Sequence, residues 1–423
     1  MKDGGWIGRF GGSGVARRRP DATLLEDAAG PVAAAESPRS PGDDLRARIG
    51  SAAFAFRGYD VQNLGRSREL MEHPHYGHLV RKELADASAI ASESLREKID
   101  LEAYVRASAP TSLEDFPTDV ALIVAMEMAQ LRLLEEFFGV PVLRAKRSVG
   151  YSIGELSALV LGGSFRLEEL LPVPLGLSVD CASLAEDTSM AILFTRSPSL
   201  PEAHVQHLCD VVSGEGKGIV APSAILSPNT TILLGQGKTL DRVDALREEF
   251  LPAKVLLRRN PNRWPPLHTP IVRQRNIPNR AAVALYAIPG HRPSPMPRLI
   301  SCVTGETCDE HTNSRELLIQ WTERPQRLWD AIDTLLASGV ETVIHVGPSP
   351  NLIPATFARL ANNVNKQLNR KYLFGLGRGM ASGMTRNAWL ASLLPERAAL
   401  LRAPFLNHVI LEDWLLSHSP VLN

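Results

Sequence analysis

The alternation of apolar and polar positions resolves the chain into short buried strands separated by longer helices. Ala52-Ala53-Phe54-Ala55-Phe56 is a compact apolar run that predicts a strand ending in Arg57-Gly58-Tyr59-Asp60. A helical stretch runs from about Tyr76 to Arg106, and Pro117 to Phe138 reads as an apolar-rich helix. Arg147–Val149 is the next strand, followed by a helix over Glu155–Leu161 that stops at Gly162-Gly163. Later come a strand at Arg298–Val303, a helix at Trp329–Ala337, and a strand at Thr342–Val346 closed by Gly347-Pro348-Ser349-Pro350, with another helix after it. Strands alternating with helices predict an α/β fold with a short parallel sheet.

Between these parts the rhythm changes. Strands at Ser189–Thr195, Gly218–Ala221, Thr230–Leu234 and Lys254–Arg258 are interleaved with helices at Glu202–Val212 and Leu240–Phe250. That βαββαβ order predicts a small ferredoxin-like subdomain inserted into the larger one. The expected organisation is a disordered extension over 1–48, a large subdomain from 49–188 and 259–380, the small subdomain at 189–258, and a C-terminal tail at 381–423. The tail carries Trp389, Leu393, Leu394, Phe405, Trp414 and Leu415 and reads as helical and packed. There is no internal repeat.

Gly150-Tyr151-Ser152-Ile153-Gly154 falls at the corner between the predicted strand at 147 and the helix at 155. A serine between two glycines at such a corner is a nucleophile elbow, because the glycines allow a strained turn and the helix N-terminus supports an oxyanion. The large subdomain is accordingly expected to be α/β-hydrolase-like. Gly235-Gln236-Gly237-Lys238-Thr239 looks like half a phosphate-binding loop. The first glycine of that pattern would fall at Ile232, inside a predicted strand, so a plain strand-end turn is the better reading.

Composition narrows the partners. The chain of 423 residues has 46 basic and 46 acidic residues, so net charge indicates neither nucleic acid nor membrane. Locally, Lys254, Arg258, Arg259, Arg263, Arg273, Arg275, Arg280, Arg292 and Arg298 fall in a stretch without Asp or Glu, which suggests a face for phosphate or an acidic partner, or else a solvated surface. Cys181, Cys209, Cys302 and Cys308 have neither metal-site nor redox spacing, and no apolar run is long enough to span a membrane. With no apolar signal core at the N-terminus, the expected setting is cytoplasmic.

A serine hydroxyl needs a base within hydrogen-bond reach. Among the 11 histidines, His268 in Trp264-Pro265-Pro266-Leu267-His268-Thr269-Pro270 is the best candidate, since prolines fix the backbone that carries it. His73, His75 and His78 read as surface or helix-capping residues rather than as a metal site.

These segments together resemble the acyl-carrier-protein S-malonyltransferase family of fatty-acid and polyketide synthesis. Gly150–Gly154 running into Glu155-Leu156-Ser157-Ala158-Leu159 is similar to the family's Gly-His-Ser-Leu-Gly-Glu-Tyr-Ser-Ala-Leu. Phe54 to Gln62 resembles its Phe-Pro-Gly-Gln-Gly-Ser-Gln turn, and Leu267-His268-Thr269-Pro270 its Phe-His-Ser/Thr-Pro segment. Gln320-Trp321 with Pro325 and Trp329 resembles the Gln…Pro-Val…Trp element, and Val346-Gly347-Pro348-Ser349 the Val-Gly-Pro turn.

The resemblance implies acyl transfer from acyl-CoA to the phosphopantetheine thiol of an acyl carrier protein through an acyl-serine, with no bound cofactor or metal. Ser152 would be the nucleophile, His268 the base, and the backbone N–H groups of Tyr59 and Ile153 the oxyanion hole. Gln320 would position the acyl group, beside Tyr151. With no acid evident after His268, a Ser-His dyad oriented by backbone carbonyls is expected.

Some positions depart from the family. Tyr151 stands where the family has His, and Tyr59 where it has Gln. Malonyl-selective members carry an arginine beyond the elbow helix, whereas the corresponding position here is Leu177, or Leu175 in a shifted alignment. A leucine cannot pair with a carboxylate, so either the acyl group is neutral or an arginine from elsewhere substitutes. Two other functions compete: a serine thioesterase or esterase using Glu202, Asp210, Asp241 or Asp244, and a catalytically degenerate scaffold within a synthase complex.

Overall fold

The computed structural model describes residues 41–108, 112–196, 199–252, 254–289, 296–374 and 397–420. Expectations for residues 1–40 and for Trp389, Leu393 and Leu394 lie outside them. In chain order the first elements are α1 (Pro41–Arg48), β1 (Ala52–Phe56), α2 (Ser67–Glu72), α3 (Gly77–Leu95), α4 (Leu101–Ala107) and α5 (Phe116–Phe138). Then come β2 (Arg147–Gly150), α6 (Gly154–Leu161), α7 (Leu167–Leu170) and α8 (Pro172–Ala185). Next are β3 (Thr188–Thr195), α9 (Glu202–Gly214), β4 (Val220–Ser227), β5 (Thr230–Gln236), α10 (Thr239–Phe250) and β6 (Val255–Arg263). The last are α11 (Ile277–Ala287), β7 (Arg298–Ser301), α12 (Ser314–Glu323), α13 (Leu328–Ala337), β8 (Thr342–Val346), α14 (Leu352–Phe374), β9 (Asn407–Ile410) and α15 (Leu411–Ser417).

The large sheet is parallel throughout, in the order β7-β2-β1-β8-β9. Every residue of β1 and β8 is buried, as helices on both faces of a parallel sheet require. Helix α5 is the central support. Pro117 suits its first turn, Gly139 ends it at φ +61°, and almost every side chain between them is buried. In register, Phe56 lies beside Gly150 on one side and Val346 on the other. The loops after β1, β2 and β8 therefore leave the sheet together at its carboxyl end, where open α/β sheets bind their ligands.

The second sheet is antiparallel, in the order β4-β5-β3-β6, with α9 and α10 against it. This is the ferredoxin-like arrangement expected from the βαββαβ order. Strands β4 and β6 run further than the hydrophobic pattern predicts, each continuing through a proline, Pro222 or Pro261. Both are edge strands with irregular register, where a missing N–H is tolerated.

Two terminal expectations need correction. Pro41–Arg48, read as part of a disordered extension, is a helix whose Leu45 is buried in the main core. The tail, read as helical, contributes β9 as a fifth parallel strand before α15. His345 of β8 and His408 of β9 stack there, with Nε2 to Nδ1 at 3.0 Å. Trp414 of α15 packs edge-on against Phe138 at 4.6 Å between ring centroids.

Candidate active site

The elbow forms as its glycines require. A Cβ at Gly150 would lie 2.2 Å from backbone atoms of Gly154, and one at Gly154 would lie 2.4 Å from the Arg57 carbonyl oxygen. Between them Ser152 takes φ +55°, a left-handed conformation that costs a non-glycine residue on the order of 1 kcal/mol. Three bonds hold it there. Gln326 Oε1 accepts from the Ser152 N–H at 3.0 Å, and Trp321 Nε1 donates to the Ser152 carbonyl at 2.9 Å. The Glu155 N–H donates to the same carbonyl at 3.0 Å.

Ser152 and His268, 116 positions apart, meet with Oγ 2.7 Å from Nε2. Both are buried, at 8% and 5% exposure, so water does not compete for this bond. His268 Nδ1 lies 2.7 Å from the Trp321 carbonyl oxygen. A carbonyl only accepts, so Nδ1 carries the ring proton and Nε2 presents its lone pair to the serine hydroxyl. Gln326 Nε2, 3.3 Å from Nδ1, is then a close contact and not a hydrogen-bond donor to it. Burial lowers the His268 pKa to about 4, although the Trp321 carbonyl works in the other direction by stabilising the charged ring. The imidazole is neutral at pH 7.

The acids proposed for a triad stay away from His268. Glu202 pairs with Arg327, Asp241 with Arg259 and Asp244 with Arg247, and Asp210 accepts from Gln206. Glu155, in the first turn of α6, is fully buried, and desolvation pushes its carboxyl up to about 8 against the opposing bond from Ser301 Oγ.

A cleft of about 210 Å³ opens over the pair. Its walls include Phe116, Tyr151 and Trp264 from the large part and Met190, Ile192 and Ile232 from the small sheet, so the two sheets share the site. Asp60 is the one carboxylate lining it, and among the described residues no Arg or Lys does. Tyr59 and Ile153 also line the cleft, and neither backbone N–H has a hydrogen-bond partner among the described residues.

Two expected residues are placed elsewhere. Gln320 lies on α12, outside the lining of the cleft, and Gln326 is the glutamine at Ser152. The signal was present: Gln326 follows Pro325, where the family element has Val. Gln326 reaches the elbow because its backbone bridges to β4, with its N–H on the Ser223 carbonyl at 2.8 Å. Leu177 is buried on α8 and lines a separate small cavity behind Trp321. It therefore contributes nothing to the cleft. Trp321 anchors both residues, through its carbonyl to His268 Nδ1 and through its indole N–H to the Ser152 carbonyl, and its sequence position alone carries no signal of this.

The acid-free stretch of sequence is not acid-free in space. Arg259, Arg273 and Arg280 pair with Asp241, Glu323 and Asp180, while Arg292 lies outside the described residues. His73 accepts at Nδ1 from the His75 and Tyr76 N–H groups, a turn-capping arrangement. Among the described residues no cluster of His, Cys, Asp or Glu could hold a metal ion, and no helix is long and apolar enough to cross a membrane.

No protein-family model matches the chain. Polyketide synthase GfsA of Streptomyces halstedii is 26% identical over 313 residues, covering 72% of this chain and 4% of that protein. Hispidin synthase of Neonothopanus nambi is 24% identical over 302 residues, covering 71% and 17%. The chain thus spans only a small part of the length of these relatives. Among solved structures, the malonyl CoA-acyl carrier protein transacylase of Clostridium perfringens superposes with a TM-score of 0.56 at 20% identity, covering 77% of this chain and 99% of that one. The acyltransferase domain from the second module of the salinomycin polyketide synthase gives 0.55 at 21% identity, covering 73% and 65%. The chain has the fold of the acyl-carrier-protein malonyltransferases and of polyketide synthase acyltransferase domains, the family its motifs resemble.

Proposed function

We propose that the chain transfers an acyl group from acyl-CoA to the phosphopantetheine thiol of an acyl carrier protein through an acyl-Ser152 intermediate. The observation that carries this is the 2.7 Å contact of Ser152 Oγ with an imidazole nitrogen whose lone pair faces it, under an apolar cleft. In the first half, Ser152 attacks the thioester carbonyl while His268 Nε2 takes its proton. The tetrahedral oxyanion is held by the Tyr59 and Ile153 N–H groups. Its collapse breaks the C–S bond, and the imidazolium returns the proton to the leaving thiolate. In the second half the carrier thiol gives its proton to His268 Nε2 and attacks the acyl-serine carbonyl; collapse of that intermediate breaks the C–Oγ bond, and the imidazolium returns the proton to Ser152 Oγ. Water would compete as acceptor, and the buried, apolar site disfavours it.

The cleft supports a neutral acyl group. A malonyl carboxylate would lose its hydration there and meet Asp60 rather than a cation, at a cost of several kcal/mol. Incubation with malonyl-CoA and with acetyl-, propionyl- and longer acyl-CoAs, followed by intact-mass measurement, tests this. Neutral acyl adducts should dominate, and a clear preference for malonyl would refute the neutral-acyl reading. The remaining basic residues without ion pairs among the described residues, including Arg258 and Arg263, support docking of an acidic carrier protein or CoA phosphates. Four buried, unpaired cysteines support a reducing, cytoplasmic setting.

The neutral His268 sets the pH dependence. kcat/KM should rise with pH through about 4, as the imidazolium loses its proton, and then stay flat to neutrality. An acid limb nearer the ordinary histidine value would show that the imidazole is hydrated in solution.

A thioesterase reading lacks a triad acid. The scaffold reading leaves unexplained why Ser152 is held in a strained conformation with a correctly protonated base beside it.

A further inference from the structure

Arg57 follows β1 directly and has no exposed surface. Among the described residues its guanidinium donates hydrogen bonds only to neutral oxygens, and the carboxylates of Glu127, Asp60, Glu412 and Asp119 act on it without a direct ion pair. Nε donates to the Gly58 carbonyl at 2.8 Å, and Nη1 to the Pro348 carbonyl at 2.6 Å. Nη2 donates to Asn63 Oδ1 at 2.7 Å and to the Gln62 carbonyl at 3.2 Å. The nearby Glu127 carboxyl is bonded to the Arg57 backbone N–H at 2.8 Å rather than to the side chain. Burying a cation without a direct ion pair is costly, and pinning a loop does not require charge.

The peptide that Nε engages gives the charge a purpose. The Gly58 carbonyl and the Tyr59 N–H belong to one planar trans amide and point in opposite directions. Fixing the carbonyl therefore fixes the line along which the Tyr59 N–H points. A cation on the oxygen also draws electron density through the amide and strengthens the N–H as a donor. Asn63 secures the other side of Tyr59, with Oδ1 accepting from the Asp60 N–H at 3.0 Å and Nδ2 donating to the Asp60 carbonyl at 2.6 Å. The same Nδ2 donates to Asp119 Oδ2 at 2.9 Å, which ties the loop to α5. Gly58 completes the fit, since a Cβ there would lie 2.7 Å from the Tyr151 ring and 3.1 Å from Ser152 Cβ.

We propose that Arg57 is a positioning residue that aims and polarises the Tyr59 N–H toward the oxyanion formed at Ser152. This rests on the acyl-serine reading above. Arg57→Met keeps the bulk and removes charge and donors, whereas Arg57→Lys keeps charge but cannot reach all four oxygens. Three quantities are compared with the unaltered chain: the single-turnover rate of Ser152 acylation by acyl-CoA, the Kd of a non-cleavable thioether analogue of acyl-CoA, and the infrared carbonyl stretch of ¹³C-labelled acyl-Ser152.

In Arg57→Met, acylation should slow about 10- to 100-fold, less than the ~10²–10³ that follows loss of a whole oxyanion donor. The Kd should stay unchanged, and the carbonyl band should move to higher wavenumber as its polarisation relaxes. Arg57→Lys should fall between the two. An unmoved band overturns the proposal, whether the rate is unchanged or falls together with binding. If Arg57→Met does not fold, Asn63→Ala carries the test, with a smaller shift of the band in the same direction. Failure of the unaltered chain to form any acyl-Ser152 would overturn the acyl-serine reading, and the role of Arg57 with it.

Discussion

Alanine in place of either Ser152 or His268 is expected to lower acyl transfer from acyl-CoA to a carrier thiol by a factor on the order of 10⁴–10⁶, and the double variant should be no worse than the poorer single one. The two side chains share one proton across 2.7 Å, so neither retains its catalytic contribution without the other. Their surroundings make substitution by a neighbour implausible. The imidazole is fixed by the Trp321 carbonyl, and no triad acid contacts it. Ser152→Ala keeps a Cβ at the same left-handed φ, so the backbone strain and the stability should stay close to those of the unaltered chain. The rate of thioester exchange from acyl-CoA to a carrier thiol, measured for the three variants, checks this. Additive losses in the double variant, or single variants retaining more than a few per cent of the rate, would mean that the pair does not act as a unit.

Gly154→Ala should be damaging through shape alone. The added methyl would sit 2.4 Å from the Arg57 carbonyl oxygen and 2.5 Å from that of Phe56, backbone atoms that cannot step aside. Overpacking of this kind costs roughly 1–3 kcal/mol. Relief requires the elbow to move away from β1, and displacement of a reacting group by about 1 Å can itself cost on the order of 100-fold in rate. A drop in the urea midpoint together with a loss of acylation of that size is the expected result. Gly176→Ala is the control. That glycine is exposed within α8 and nothing lies within 4 Å of its Cβ position, so alanine should stabilise by roughly 0.5–1 kcal/mol with unchanged acylation. Equal behaviour of the two variants would remove the steric argument for the elbow.

What could be read from residues alone was what is local. The elbow is spelled out by five consecutive positions between a strand and a helix, and the loop histidine is braced by adjacent prolines. The alternation of β3 and α9 through β6 was enough to order the small sheet. The features that escaped depend on closure in three dimensions. Strand β9 is a short sequence, Asn407-His408-Val409-Ile410, that becomes a strand only because β8 offers an open edge. Gln326 meets the Ser152 N–H because a linker residue bridges to β4, whereas the resemblance to the family element points to Gln320. Nothing in the residues around Arg57 marks it as buried. Its burial requires Pro348, 291 positions away, to close over it. The three acids that neutralise Arg259, Arg273 and Arg280 are likewise remote in sequence, at 241, 323 and 180.

The most direct measurement is a two-stage mass experiment on the intact chain. It is first loaded with a neutral acyl-CoA and then mixed with a carrier protein bearing phosphopantetheine. The expected result is a mass gain of one acyl group, mapped by peptide analysis to Ser152, that disappears as the carrier gains the same mass. No adduct with any thioester, an adduct at another residue, or release of the acyl group to water while the carrier stays unmodified would contradict it.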